Sequence, residues 1–215
     1  MSSSHSPRTL VIDTATAACS VALFEGDAVI GTAHEVVSRG HAERLLPMIA
    51  ALPEGGRAGH ILVDVGPGSF TGIRVGIAAA RALALGWEAS VAGYSSLALI
   101  ACGAVAGGGG RDPFAVVIEG GHGEVFMQRF AADPQLHALD DLASRKPADA
   151  LAGLGGGVAL GSGVGWLAEL PPAQHGGAHW LPEAARALTL PAALRTLPPA
   201  PLYGRAPDAK LPAPR

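Results

Sequence analysis

A glycine-rich loop between two apolar segments is the part of this chain best suited to chemistry. Its sequence is Gly66-Pro67-Gly68-Ser69-Phe70-Thr71-Gly72-Ile73-Arg74, after a strand-like run and before a helix of small residues. Backbone N–H groups at a helix start have no partner within the helix and carry partial positive charge, so this order can form an anion cradle. No Gly-Lys-Ser/Thr follows the glycines, which excludes a P-loop.

The helix after this loop carries two unusual features. Arg74 falls in its first turn, where a cation opposes the helix dipole, so we expect an anionic partner or, alternatively, a salt bridge within the same lobe. Gly72, Gly76 and Ala80 recur every four residues. Because small residues let another backbone approach closely at a cost in helix propensity, this face is predicted to pack either inside its own lobe or against a partner helix.

Two other kinds of site are not expected. Ser69 does not sit in a Gly-x-Ser-x-Gly nucleophile elbow, because glycine follows at the wrong offset, which argues against a peptidase. His175 and His179 have the spacing of two metal ligands on one helix face. The glycines 176–177 between them and the prolines 171–172 before them oppose a helix. These histidines therefore predict a surface loop, and no metal site is expected.

The periodicity of apolar residues predicts two α/β units in succession. In the first half we predict strands at 9–13, 19–24, 28–35, 60–65 and 90–93, and helices at 40–52 (capped by Ser38), 73–86 and 96–105 (capped by Ser95 or Ser96). In the second half we predict strands at 113–119, 124–130, 133–140 and 158–160, and a weak helix after Pro147. Gly107 to Gly110 reads as a joint between an N-terminal lobe, 1–106, and a smaller C-terminal lobe, 111–190. The prolines beyond Pro191 predict an extended tail over 191–215.

Composition limits the class of protein. The 215 residues are 49% apolar and 15% charged, enough for a substantial core, and the formal net charge is −3. That net charge argues against a broad basic surface that binds nucleic acid. Cys19 and Cys102 lie in apolar surroundings and are expected to be reduced thiols. The sequence shows neither a membrane-length apolar run nor a signal-peptide core, so we expect a cytoplasmic protein without membrane contact.

Three motifs carry a resemblance to a known family. They are the segment 12–23 (Ile-Asp-Thr-Ala-Thr-Ala-Ala-Cys-Ser-Val-Ala-Leu), His41 with Leu45-Leu46-Pro47, and the glycine loop extended through Ile77. Together they resemble the bacterial TsaB family of tRNA threonylcarbamoyladenosine biosynthesis proteins. The match is tight over about residues 8–105 and looser beyond, where it depends on Gly123 to Phe126, Gly161 to Gly163, and Tyr203 with Arg205.

The resemblance implies an α/β, two-lobed fold of the actin/Hsp70/sugar-kinase (RNase H-like) type, in degenerate form. It implies a non-catalytic scaffold that activates the sister protein TsaD in N6-threonylcarbamoylation of adenosine 37, in tRNAs that read codons starting with A. It also implies pairing with TsaD, recruitment of the ATPase TsaE, a homodimer when alone, and tRNA contact only through the complex. No cofactor of its own is expected, although a nucleotide could sit at the shared interface. The first two helices would supply the interface, through His41, Leu45, Ser69, Phe70, Gly72, Arg74, Gly76 and Ala80.

Two positions bear on catalysis by the chain itself. Kinases of this fold hold a phosphate-contacting hairpin where Asp13 and Thr14 stand here, which makes these two weak cofactor-binding candidates. Ala15 replaces the glycine of that hairpin and adds a methyl group where backbone should approach phosphate. Asp13 is therefore expected to be a strand-end residue bonded to nearby backbone. An autonomous nucleotide- or sugar-binding enzyme of the same fold is the alternative function.

Two further points stay open in the sequence. His41 could contact a partner or serve the start of its own helix. The family commonly has Asp-Ala-Arg before the Gly-Glu-Val strand, whereas this chain has Glu119-Gly120-Gly121-His122. A partner contact made by that arginine in relatives would be missing here.

Overall fold

The computed structural model describes residues 7–37, 39–110, 113–177 and 180–204. These residues form two five-stranded mixed sheets with helices on both sides, which confirms the predicted α/β class. Ser38, His179, Arg205 and the prolines beyond position 204 lie outside the described residues, as do residues 1–6 of the segment in which no signal-peptide core is expected.

The first sheet is built from the first half of the chain. Its strands are β1 (Arg8–Asp13), β2 (Ala18–Glu25), β3 (Ala28–Val36), β4 (His60–Asp64) and β5 (Ser90–Tyr94). The order across the sheet is β3-β2-β1-β4-β5, antiparallel among the first three and parallel from β1 through β4 to β5. Its helices are α1 (His41–Ala50), α2 (Phe70–Trp87) and α3 (Ser96–Ala106).

The second sheet repeats this plan on a smaller scale. Its strands are β6 (Phe114–Gly121), β7 (Glu124–Ala131), β8 (His137–Ala138), β9 (Ala143–Arg145) and β10 (Val158–Leu160), and its helix is α4 (Pro147–Gly153). The order is β10-β6-β7-β8, with β9 also paired to β7. The prediction of one strand over 133–140 was wrong in extent, since only the two residues of β8 pair there.

Helix α3 lies between the two sheets. Its sequence is apolar all round, and Leu97, Leu99 and Ile100 are almost fully buried, as expected for a helix surrounded by core. One core cluster joins α3 to residues of both sheets, such as Val11 of β1 and Phe130 of β7. Since successive side chains of a strand alternate in direction, Leu10 and Ile12 point to the other face of the first sheet, under α1 and α2.

The last described residues return to the first sheet. After a 3-10 turn at Ala192–Leu194, residues 197–204, here called the C-terminal strap, form an irregular segment with bends at 199, 200 and 204. Leu197 pairs with Gly93 of β5, and the Leu202 amide donates to the Val65 carbonyl at 2.8 Å. At the far end the Ser144 amide donates to the Gly204 carbonyl at 3.1 Å, so the strap contacts both sheets.

The predicted lobe boundaries stay a prediction. Residues 184–189, which the sequence placed in the C-terminal lobe, form a 3-10 helix whose Ala184 amide donates to Ser20 Oγ of β2 at 3.0 Å. In the described part of the chain, no helix has the length and apolar character that crossing a membrane requires.

Candidate functional site

The glycine loop connects β4 to α2 and is pressed against the β1–β2 turn. The Ser69 amide donates to the Ala15 carbonyl at 2.6 Å, and a Cβ added at Gly68 would overlap that same carbonyl. Ser69 caps α2, because its Oγ accepts from the Gly72 amide at 3.2 Å. The helix therefore begins at Phe70, three residues before the predicted start.

The loop's amides are largely satisfied within the chain. The Gly66 amide donates to Asp64 Oδ1 at 2.7 Å, and those of Ser69 and Gly72 have the acceptors just named. These three N–H groups are not available to a ligand. The Phe70 and Thr71 amides, in the first turn of α2, have no acceptor among the described residues and are what remains of the predicted anion cradle.

The small-residue face of α2 packs inside its own lobe. A Cβ at Gly72 would overlap the Thr14 carbonyl oxygen, and one at Gly76 would lie 2.5 Å from Thr14 Oγ1. Thr14 Oγ1 donates to the Gly72 carbonyl at 2.7 Å, which locks the contact. Of the two alternatives for this face, packing within the lobe is the one the structure shows. β1 and the turn after it occupy the space beside Gly72 and Gly76, so the contact of a partner helix with this face, Ala80 included, stays a prediction.

The eight predicted interface residues divide by exposure. Ser69, Phe70 and Arg74 are exposed, whereas His41, Leu45, Gly72, Gly76 and Ala80 are buried within the chain. Whether any of them meets a partner stays a prediction, but the buried five offer a partner almost no side-chain surface.

His41 has a defined role at the start of α1. Its Nε2 lies 3.0 Å from the Thr16 carbonyl oxygen and 3.3 Å from that of Ala18. Since carbonyl oxygens only accept, Nε2 carries the proton and donates. His41 therefore ties α1 to the turn between β1 and β2, which agrees with a role at the helix start.

Two buried carboxyl groups meet beneath the glycine loop. β1, β4 and β5 are adjacent and parallel, so their carboxyl ends bring together Asp13, Asp64 and Tyr94, each with no exposed surface. Tyr94 donates its hydroxyl to Asp13 Oδ2 at 2.9 Å, and Ser96 Oγ donates to the Asp64 carboxylate at 2.7 Å. Asp13 Oδ1 has no hydrogen-bond partner among the described residues.

Burial governs the protonation of this pair. It raises the pKa of Asp13 well above its usual value, and the neighbouring Asp64 charge raises it further. Burial also raises the pKa of Asp64 to about 6, against the opposing effect of its bonds from Ser96 and Gly66. The pair therefore holds a proton up to a higher pH than exposed carboxyl groups do. Asp13 is bonded chiefly through Tyr94, and not only to nearby backbone as the sequence predicted.

Arg74 is held by two aromatic rings. Its guanidinium carbon lies 3.3 Å from the centroid of the Phe70 ring and 5.9 Å from that of Tyr203. One guanidinium nitrogen, Nη2, donates to the Tyr203 hydroxyl at 2.9 Å. Over the described ranges, no carboxylate comes within salt-bridge distance of Arg74, so the predicted intralobe salt bridge does not form there.

These elements surround a cleft of about 1020 Å³. Its walls come from segments 15–17 and 68–74 on one side, 118–122 with Phe126 and Ser162 on the other, and the end of the C-terminal strap. The cleft lies at the carboxyl ends of the central strands, where open α/β sheets bind ligands. Trp166 Nε1 donates to Glu119 Oε1 at 3.2 Å on the second side.

Sequence reasoning did not place Asp64 or Tyr94 at this site, and it named Tyr203 only within the family resemblance. Asp64 ends a buried strand in the same way as Asp13, and that parallel was a usable signal. Tyr94 and Tyr203 gave no comparable signal, because their partners lie 81 and 129 positions away. Among the described residues, no group of three or more His, Cys, Asp or Glu could hold a metal ion. Cys19 and Cys102 are both free, and burial raises the pKa of Cys19 to about 11.

Comparison with known proteins places this chain in a family. The model that describes TsaD, tRNA N6-adenosine threonylcarbamoyltransferase, matches residues 27–160. The chain belongs to the TsaD family. Within it, the sequence matches proteins named TsaB, which confirms the resemblance found in the motifs.

The similar sequences are bacterial. The TsaB protein of Escherichia coli is 40% identical over 133 residues, which are 59% of this chain and 56% of that protein. The TsaB protein of Haemophilus influenzae is 41% identical over 98 residues, 43% of this chain and 41% of that protein. An uncharacterised protein of Mycobacterium tuberculosis is 33% identical over 156 residues, 67% of this chain and 71% of that protein. The chain thus spans about half the length of the TsaB relatives it matches.

A solved structure supports the same family. YeaZ from Pseudomonas aeruginosa aligns with a TM-score of 0.77 and 27% identity, covering 92% of this chain and 99% of that chain. The fold therefore extends over both halves, including the second half in which the motifs were sparse. The two-lobed architecture expected for a TsaD-family member is confirmed.

Proposed function

We propose that the chain is an accessory subunit of tRNA threonylcarbamoylation at adenosine 37, which activates TsaD without performing the transfer itself. The similarity to TsaB proteins of E. coli and H. influenzae carries the proposal, since their names assign them to threonylcarbamoyladenosine biosynthesis. Pairing with TsaD, recruitment of TsaE and homodimer formation when alone belong to the same proposal. That role would place the chain in the cytoplasm, with tRNA bound through the complex.

The surface of the first two helices supports a scaffold role. Leu46 of α1 is 53% exposed, and Phe70 and Leu85 of α2 are 58% and 86% exposed. These side chains lie outside the sets of buried residues through which α1 and α2 pack on the rest of the chain. Large exposed apolar side chains on packed neighbouring helices are typical of a surface that another protein covers. We propose this surface, rather than the buried glycine face, as the contact with TsaD and with a second copy.

The structure of the β1–β2 turn supports the proposal that this chain does not bind a phosphate there as kinases do. The Ala15 carbonyl is taken by the Ser69 amide, and Ala15 itself has no exposed surface. Because Gly68 of the glycine loop packs against Ala15, a phosphate cannot contact Ala15 as it contacts the hairpin glycine in a kinase. We therefore propose that the chain holds no nucleotide at Asp13 and Thr14, and that any nucleotide of the complex sits where the subunits meet.

Reconstitution of the modification tests the proposal. Unmodified tRNA is incubated with TsaD, TsaE and threonylcarbamoyl-AMP from the same organism, with and without this chain, and the modified nucleoside is measured by mass spectrometry. We expect modification only when the chain is present. Full modification without it would overturn the scaffold role and favour the alternative, an autonomous nucleotide- or sugar-binding enzyme.

A further inference from the structure

The cleft between the two sheets has opposite charges on its two sides. Arg74 on the α2 side is its cation, and Glu119 on the β6–β7 side is its carboxylate, among the described lining residues. Apolar side chains that include Ile73, Ile118 and Leu202 line the same cleft. A cleft of this kind has two charged ends and an apolar body.

Both charged groups are held in place before a ligand arrives. The Arg74 guanidinium is stacked on Phe70 and bonded through one nitrogen to Tyr203, which leaves its other N–H groups without an acceptor among the described residues. Glu119 is held through one oxygen by Trp166. Because their conformations are already restricted, less side-chain entropy is lost when a ligand pairs with them.

The charge balance argues against a polyphosphate ligand. The described lining holds one arginine, one carboxylate and His122, whereas a nucleoside triphosphate needs several cations or a metal. The amides of Gly66, Ser69 and Gly72, which could otherwise bind phosphate, already have acceptors. A ligand with one negative and one positive end satisfies both sides.

We propose that this cleft binds a small zwitterion of the amino-acid or short-peptide class, with its carboxylate on Arg74 and its ammonium group on Glu119. A guanidinium pairs with a carboxylate through two parallel N–H bonds, and a carboxylate accepts directly from an ammonium group. The cleft volume of about 1020 Å³ exceeds that of a single amino acid, so a dipeptide or tripeptide fits better.

Binding to the isolated chain tests this inference separately from the scaffold role, since no TsaD is needed. The probes are the dipeptide leucyl-leucine, its C-terminal amide, its N-acetyl form, and ATP with Mg²⁺, each titrated by calorimetry. We expect leucyl-leucine to bind and the two blocked forms to bind at least tenfold more weakly. Equal binding of the blocked dipeptides, tighter binding of ATP, or no binding by leucyl-leucine would overturn the proposal.

Matched variants locate the binding to the two charges. Arg74→Gln and Glu119→Gln should each raise the Kd of leucyl-leucine at least tenfold. Arg81→Gln is the control, because Arg81 is exposed on the same helix, donates to the Pro199 carbonyl and does not line the cleft. Thermal melts confirm that each variant is folded. Unchanged affinity in a folded Arg74→Gln or Glu119→Gln variant would also contradict the assignment.

Discussion

At the scale of single residues, the buried pair of Asp13 and Asp64 makes stability depend on pH. A carboxyl group in an unfolded chain has a pKa of about 3.9. Both folded-state pKa values are raised, that of Asp64 to about 6. The folded chain therefore binds more protons than the unfolded chain above about pH 4, and the free energy of unfolding falls as the pH rises through the raised values.

Asp13→Asn should remove much of this dependence. The amide keeps the size of the carboxyl and an oxygen that can accept from Tyr94, but it cannot ionise beside Asp64. We expect the variant to be more stable than the parent at pH 8, by on the order of 1 kcal/mol or more, with a smaller difference at pH 4. Urea unfolding at both values measures this. Asp27→Asn, at an exposed carboxylate in the β2–β3 turn, is the control, and an equal effect there would refute the assignment.

Substitutions at two glycines of α2 distinguish the effect of close packing on stability from the effect of helix propensity. Gly72→Ala places a methyl group against the Thr14 carbonyl and should destabilise the fold by about 1–3 kcal/mol. Gly86→Ala, on the same helix, meets nothing within 4 Å and should be neutral or stabilising by up to about 1 kcal/mol. Thermal unfolding of both variants measures the two changes in stability. Similar effects of the two substitutions would mean that the Gly72 contact is not tight.

At the scale of elements, the exposed face of α1 and α2 is the surface to test for assembly. Leu85→Glu changes a side chain that is 86% exposed, so the fold should keep its melting temperature. If this face holds the second copy and TsaD, the variant should be monomeric in sedimentation velocity and should fail to bind TsaD. Leu139→Glu is the matched control, because Leu139 is 43% exposed and lies in the second half of the chain. A dimer that survives Leu85→Glu would remove the end of α2 from the interface.

At the scale of the whole molecule, α3 should make unfolding a single event. Ile100 is 2% exposed in the core cluster that joins both sheets. Ile100→Ala should therefore cost about 2–5 kcal/mol and destabilise both halves together. Trp87 reports on the first half, and Trp166 and Trp180 on the second. Fluorescence and circular dichroism should show one coincident transition in denaturant, shifted to lower concentration, and separate transitions would contradict this.

Much of the element pattern could be predicted from sequence, because it depends on local periodicity and local caps. β1, β2, β6 and β7 were predicted to within one or two residues at each end, and Ser95 was among the predicted caps of α3. β8 was over-predicted, because an alternating pattern does not reveal where pairing with a neighbouring strand stops. The motifs around the glycine loop also sufficed to predict the family.

The sequence by itself determined the α/β class, the two successive units, the glycine loop and the family. Only the tertiary structure decided which way each side chain of α2 faces, and hence that Gly72 and Gly76 serve internal packing while Leu85 stays exposed. It also decided that Asp13 meets Asp64 and Tyr94, and that Tyr203 of the C-terminal strap holds Arg74. The physical reason is that these contacts join residues that are distant in sequence. The strand order of the first sheet and the path of the C-terminal strap bring them together. Side-chain periodicity specifies the face of an element, but not which distant element covers it.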